Sequence, residues 1–300
     1  MSAVVAHDYM TQPLTRRTFD AMGCTVELIL DGVARDAEVA LAAAEGEIHR
    51  LERMLSRFLP TSELSQLNAA GTLRAPPELV EVTRLALDAR ERTGGRFDPT
   101  VHDAVVAAGY DRSFDEIAPD GRVISPGAAC GGRVTVDGST IEVEPGYRLD
   151  LGGIAKGYAA DRACALLADA GPCIVNAGGD LAIHGTPEQG LWPVAVDVPG
   201  APLTLGLGTG ALATSGRDHR RWRRGGVELH HLVDPSTGLP TATSLLRVTA
   251  FADSAAGADV AAKVLLLAGE HAARVEADAL GIPAVLVTGD GRVVLAGGLA

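Results

Sequence analysis

Lysine is almost missing from this 300-residue chain: of 26 basic residues only Lys156 and Lys263 are lysine. Positive charges elsewhere are arginine. The two retained ammonium groups are either compositional accident or places that need a compact, rotatable point charge. Positive charge of any kind is outweighed, with 26 bases against 38 acids and a net charge of −12. Such a field opposes nucleic acid and anionic membrane. No apolar run reaches eighteen residues, so no membrane-spanning helix and no membrane insertion are expected. Cysteine is scarce too. The four thiols at 24, 130, 164 and 173 form no C-x-x-C pair and no zinc spacing with histidine. They read as reduced, mostly buried thiols of a reducing compartment.

What is present is ordinary for a folded enzyme-sized chain. An apolar share of 47% and a charged share of 21% exclude a disordered chain and a coiled coil. The length suffices for a large core in one large or two ordinary domains. Thr15 to Phe19 (TRRTF) imitates a twin-arginine export signal, and Ala21 to Cys24 (AMGC) loosely imitates a lipid-attachment site. Both need an apolar stretch before cleavage, and Asp20 interrupts the few residues available. A cytoplasmic protein is therefore expected.

Alternation predicts a strand over Thr18 to Leu30, and near-helical spacing of Val39, Ile48, Leu51, Leu55 and Phe58 predicts a long helix from Ala34 to Phe58. Ser62 to Asn68 is short and polar. Pro77 opens a second helix with Leu79, Val82, Leu85 and Ala89 on one face, stopped at Gly94-Gly95. A turn at Phe97 to Thr100 precedes a short helix, and Asp137-Gly138 marks a hairpin. Leu149 to Gly153 reads as a strand running into glycines before a helix from Ile154 to Ala170. Cys173 to Val175 reads as another strand. The second half predicts strands over 192–198, 203–214, 227–233 and 245–252, one helix over 254–268, and a last hairpin at 289–291. Without steady βαβ alternation the fold class is α+β, with mostly antiparallel mixed sheets and packed helices.

Four segments are candidates for chemistry. Asp150 to Asp161 (DLGGIAKGYAAD) delivers a carboxylate, two glycines and a helix start with Lys156 in its first turn. Glycines let a ligand approach the backbone and a helix start favours anions, so phosphate binding competes here with an ordinary turn. Asn176 to Asp180 (NAGGD) is a second glycine site that alone is equally a tight turn. His230-His231 lies at a strand end, where neighbours point to opposite faces, so one imidazole can face a cleft as a general base while the other packs. Asp259 and Lys263 share one helix face, either as a weak surface pair or as an acid and an ammonium aimed into a site. Gly208-x-Gly210-x-x-Ala213 imitates a dinucleotide fingerprint, but Ser215-Gly216 breaks the helix it requires. Arg217 to Arg224 (RDHRRWRR) could grip nucleic acid; against the acidic whole it reads as a solvated loop.

In order along the chain stand MGC at Met22, LSRF-LPTSELSQLN from Leu55, TGGRFDPT from Thr93, DLGGIAKGYAAD, NAGGD, TSG from Thr214, HHLVDPSTGLP from His230 and the acidic helix at Asp259. Together they resemble the ApbE family of FAD:protein FMN transferases over nearly the whole chain, Phe19 to Leu267. The resemblance implies an FAD cleft between lobes, a domain over 18–300 after a tail of residues 1–17, and transfer of FMN from FAD to a Thr or Ser of an acceptor protein with release of AMP. By position it implies Met22, Phe58, Phe97 and Asp98 along the flavin, with Asp150, Lys156 and Leu232 also on FAD. It places Mg²⁺ on the Gly153 carbonyl and the Asp259 carboxylate, and makes His231 the activator of the acceptor hydroxyl. This chain departs from the family at two positions. Arg96 stands where the family has a small residue, offering a phosphate or adenine contact. Lys263 stands where the family has a hydroxyl metal ligand. Mg²⁺ prefers oxygen ligands, so the Lys263 ammonium, held by Asp259, is expected to serve as the phosphate counter-cation. FAD pyrophosphohydrolase and a non-catalytic flavin binder are the competing readings.

Overall fold

The computed structural model describes residues 4–5, 14–31, 34–118, 121 and 127–299. Its centre is an antiparallel sheet of eight strands in the order 293–296, 284–288, 245–252, 210–216, 180–184, 173–177, 24–30 and 15–21. Helices α1 (Ala34–Leu55), α5 (Ala155–Ala168) and α6 (Ala255–Ala268) cover one face. The pleat sorts the side chains. Val26, Leu28 and Leu30 meet those helices, while Ile29 points the other way, onto Trp192 and Val194 of a small sheet formed by residues 4–5, 192–196 and 203–207. Leu41, Ile48 and Leu51 of α1 are fully buried, worth about 1.5–3 kcal/mol each.

A second lobe joins α2 (Glu63–Ala70), α3 (Pro77–Arg92) and a three-stranded sheet of 72–74, 140–143 and 134–137 around Leu67, Leu79, Ile141 and Leu149. A third apolar cluster joins α4 (His102–Ala107) to Tyr110, Trp222 and Leu229. The functional cleft lies where these clusters meet. The α+β class and the antiparallel pairing agree with the sequence reading.

Several local expectations need correction. The strand read over 18–30 is a hairpin of Thr15–Ala21 and Cys24–Leu30, and it starts three residues before the expected domain boundary. Its turn is Met22-Gly23, both with positive φ (54° and 67°), as a tight hairpin of this twist requires. Arg16 and Arg17, which imitated an export signal, pair with Glu27 and with Glu38 and Glu45. Val39 and Leu85, placed on buried faces, are exposed, and Phe58 lies beyond the end of α1. The polar segment after Ser62 is helix α2, because Ser62 Oγ accepts the Ser65 N–H and caps it.

Residues 147–151 are not a strand. The Asn68 side chain stands in for a neighbouring strand: its Nδ2 donates to the Leu149 carbonyl (2.8 Å) and its Oδ1 accepts the Leu149 N–H (2.7 Å). NAGGD is the two-glycine turn of a hairpin joining 173–177 to 180–184. The run 203–214 divides between two sheets at Gly208 and Thr209. A further helix, α7 (Glu270–Leu280), follows α6 across Gly269. The arginine run is no solvated loop. Arg221–Arg224 pairs with Val227–His230, and Trp222 and Arg224 are buried. Of the four free thiols, Cys164 and Cys173 are buried and Cys24 and Cys130 are half-buried. Burial pushes the Cys130 thiol up to about 11.

Candidate functional site

A cavity of about 510 Å³ opens between the lobes, within the roughly 300–1,000 Å³ of small-molecule sites. Of the residues expected at the site, Met22, Phe58, Arg96, Phe97, Asp98, Asp150, Gly153, Lys156, His231, Leu232 and Lys263 all line it. Asp259 does not; it lies buried behind Lys263.

The glycine segment works as expected. Two close approaches explain its glycines. A Cβ on Gly157 would come within 2.4 Å of the Ala255 carbonyl, so α5 and α6 cross backbone to backbone there. A Cβ on Gly153 would come within 1.7 Å of Lys263 Nζ. Asp161 ends the segment by accepting the Ala255 and Ala256 N–H groups at 2.7 and 3.0 Å, which caps α6 with a side chain of α5. Asp259 and Lys263 are thereby aimed at the cavity from α6, and Lys156 from α5.

Each acid at the site is engaged. Asp150 accepts the Gly152 N–H (2.7 Å) and pairs with Arg57 (3.0 Å). Asp98 accepts both the N–H and the hydroxyl of Thr100, which fixes the turn before α4. Lys156 is in contact with Asp180; burial pulls its ammonium down, while the Asp259 carboxylate acts the other way. Arg96 pairs with Glu276 of α7 at 2.6 Å.

The two histidines divide as their strand position predicts. His230 is buried; its Nε2 meets the Thr241 carbonyl (3.0 Å) and its Nδ1 accepts the Leu232 N–H (3.3 Å), which specifies a neutral tautomer. His231 faces the cavity. Its Nδ1 is buried without a hydrogen-bond partner among the described residues. Burial first, then the charges of Arg220 and Lys263, hold it well below its ordinary value. It is a neutral imidazole with a lone pair unclaimed by the protein.

The expected metal position fits poorly. Asp259 Oδ2 is buried and unpartnered, as a ligand oxygen would be. Yet the Lys263 ammonium already stands between Gly153 and Asp259, 4.0 Å from Asp259 Oδ1. Among the described residues no group of three or more His, Cys, Asp or Glu gathers to hold an ion. One carboxylate beside a fixed ammonium is not a donor set for Mg²⁺.

Three cavity residues escaped the sequence reading. Arg57, inside the LSRF motif, lies over the rings of Phe58 (4.1 Å) and Tyr110 (4.6 Å). Tyr110 carried no motif signal. Arg220 belongs to the run read as a solvated loop.

An α+β fold with an enclosed cleft, ringed by cations and aromatic side chains and holding one neutral imidazole, defines a binder of an anionic, ring-bearing small molecule. The ApbE family model matches residues 22–286, and the chain belongs to the ApbE family. It is 34% identical to the FAD:protein FMN transferase of Rhodobacter capsulatus, over 94% of this chain and 57% of that protein. The chain thus spans little more than half the length of that relative. It is 26% identical to the Vibrio cholerae protein of the same name, over 87% of this chain and 83% of the relative. The ApbE protein of Thermotoga maritima superposes with a TM-score of 0.84 at 25% identity, covering 95% of this chain and 97% of that one. The flavinyl transferase ApbE of Pseudomonas stutzeri does so at 0.82 and 23%, covering 97% and 96%.

Proposed function

We propose that this chain transfers the FMN half of FAD to a Thr or Ser hydroxyl of an acceptor protein and releases AMP. The observation that carries the reading is the unpartnered Nδ1 of His231 in a cavity ringed by cations. A diphosphate resists attack by an oxygen nucleophile because both bear negative charge. The reaction needs fixed cations on the phosphoryl oxygens and a base on the hydroxyl. In the proposed step His231 takes the hydroxyl proton, and the freed oxygen bonds to the phosphorus of the FMN half. The phosphorus–oxygen bond between the two phosphoryl groups breaks, and AMP leaves with the electron pair.

Met22, Phe58, Phe97 and Leu232 are assigned to the flavin, with Asp98 and Asp150 shaping that wall. Lys156 and Lys263 are assigned to the diphosphate, and Arg96 to the ligand's rim. Lys263 takes the place the family resemblance gives to Mg²⁺, with Gly153 making room for it and Asp259 holding it. We assign this chemistry to one cytoplasmic domain.

Incubation with FAD and a co-expressed acceptor tests the function. Mass spectrometry is expected to show an acceptor heavier by one FMN unit, with matching AMP. FMN and AMP without an adduct would instead establish hydrolysis, and neither product would leave only binding.

A further inference from the structure

The geometry points to Arg220 as a diphosphate-gripping residue of the transfer reaction: the cation on the cavity wall that the protein leaves without an acid. This rests on the function proposed above and adds a residue to it. Five cations line the cavity: Arg57, Arg96, Lys156, Arg220 and Lys263. Four face a carboxylate, namely Asp150 at 3.0 Å, Glu276 at 2.6 Å, Asp180 in contact, and Asp259 at 4.0 Å. Arg220 forms no ion pair among the described residues. Its one hydrogen bond there runs from Nη2 to the Gly23 carbonyl at 3.1 Å. A guanidinium has five N–H donors in a planar fork, so most of this one remains for a ligand.

The surrounding chain explains why Arg220 differs from the other arginines of its run. Arg217 donates to the Leu245 carbonyl and Arg224 to the Ala107 carbonyl, and Arg221 pairs with Glu228. Each of these ties the excursion to its surroundings. Arg220 instead turns into the cavity, half-buried, where its charge is felt by Lys156, Cys24 and His231. It lies across from the α6 ammonium group and beside the hairpin turn that carries Met22. A bidentate fork there matches two phosphoryl oxygens better than a second point charge would. The tie to Gly23 fixes the fork relative to the flavin wall before the ligand arrives.

The test compares ligands with and without phosphate. Equilibrium binding of FAD and of riboflavin is measured by flavin fluorescence for the natural protein, Arg220→Gln and Arg220→Lys. Arg220→Gln is expected to weaken FAD about tenfold or more and leave riboflavin within about twofold. Arg220→Lys should recover part of the FAD loss, because charge is kept and the fork is not. Equal weakening of both ligands would reduce Arg220 to a prop for the Met22-Gly23 turn and overturn the proposal. So would unchanged FAD binding. If Arg220→Gln does not fold, Arg220→Lys decides by the same FAD-to-riboflavin ratio. No acceptor and no turnover enter the assay. Transfer can therefore fail in the natural protein while the Arg220 comparison stands, and the two ideas are refuted separately.

Discussion

Gly153→Ala is the sharpest single perturbation the site allows. The added methyl would sit 1.7 Å from Lys263 Nζ and 3.3 Å from a ring carbon of Phe97. The ring contact is tight but tolerable. The amine contact is not, and Nζ must retreat by more than about 1 Å to reach ordinary packing distance. Lys263 is the end of a flexible side chain, so the backbone need not move and global stability should change by less than about 1 kcal/mol. The displaced charge no longer meets the phosphoryl oxygen it was placed for. A hydrogen bond to a charged group is worth about 1.5–3 kcal/mol, so AMP release per unit FAD should fall about 10- to 100-fold in kcat/KM. The assay is AMP release followed by chromatography, run on Gly153→Ala, Lys263→Met and the double variant. Because both single changes remove the same charge, the double variant should be no worse than Lys263→Met alone. Full activity in Gly153→Ala refutes the reasoning. So does a full additional loss from Gly153→Ala in the Lys263→Met background, since the methyl would then harm something other than the ammonium.

Other outcomes follow from the same geometry. FMN transfer by the natural protein should persist in EDTA, while Lys263→Thr should become dependent on added Mg²⁺; an equally strict requirement in both would show that Lys263 replaces nothing. His231→Gln should lower transfer about 10²- to 10⁴-fold, with FAD binding retained in the fluorescence titration. Burial, Arg220 and Lys263 hold His231 below 6.5 in the folded protein, so the neutral base survives as pH falls through 6.5 and the acid limb of the rate profile should lie well below it. Arg220→Gln should move that limb upward. The sign for stability is the reverse of a salt-bridged histidine. Below 6.5 the unfolded chain binds the proton first, so His231's contribution declines from there down to its folded value, as denaturation at stepped pH can show. Asp161→Ala, which removes the cap from α6, should cost about 0.5–2 kcal/mol in urea unfolding.

The sequence exposed what glycine and local spacing encode. The turn at Gly94-Gly95, the DLGG segment before α5 and the opposite facing of His230 and His231 all appear where local chemistry puts them. The strand at 18–30 was misjudged because Met22 adopts a positive φ that its side chain does not advertise. Leu149 looks like a strand residue because its backbone is paired, but the partner is an amide side chain from a helix 81 residues away. Helix α7 was lost because Gly269 divides one apolar pattern into two. Arg57, Tyr110 and Arg220 are the instructive omissions. Nothing in a run of arginines shows which one turns inward; burial of Trp222 against the Ala108 carbonyl decides that, and it is a tertiary fact. The metal expectation came from positional likeness, and the chain's own Lys263 stands against it.

Residues 217–244 leave the central sheet at Gly216 and rejoin it at Leu245, where strands 210–216 and 245–252 lie side by side with Gly216 opposite Arg247. The departure and return points are thus one strand spacing apart, about 5 Å. That makes the intervening stretch a cassette, with the imidazole and the inward guanidinium travelling together while the wall bearing both lysines stays behind. Exchange of this cassette between relatives would carry over the nucleophile-activating half of the site as a unit and leave the donor-holding half in its original scaffold.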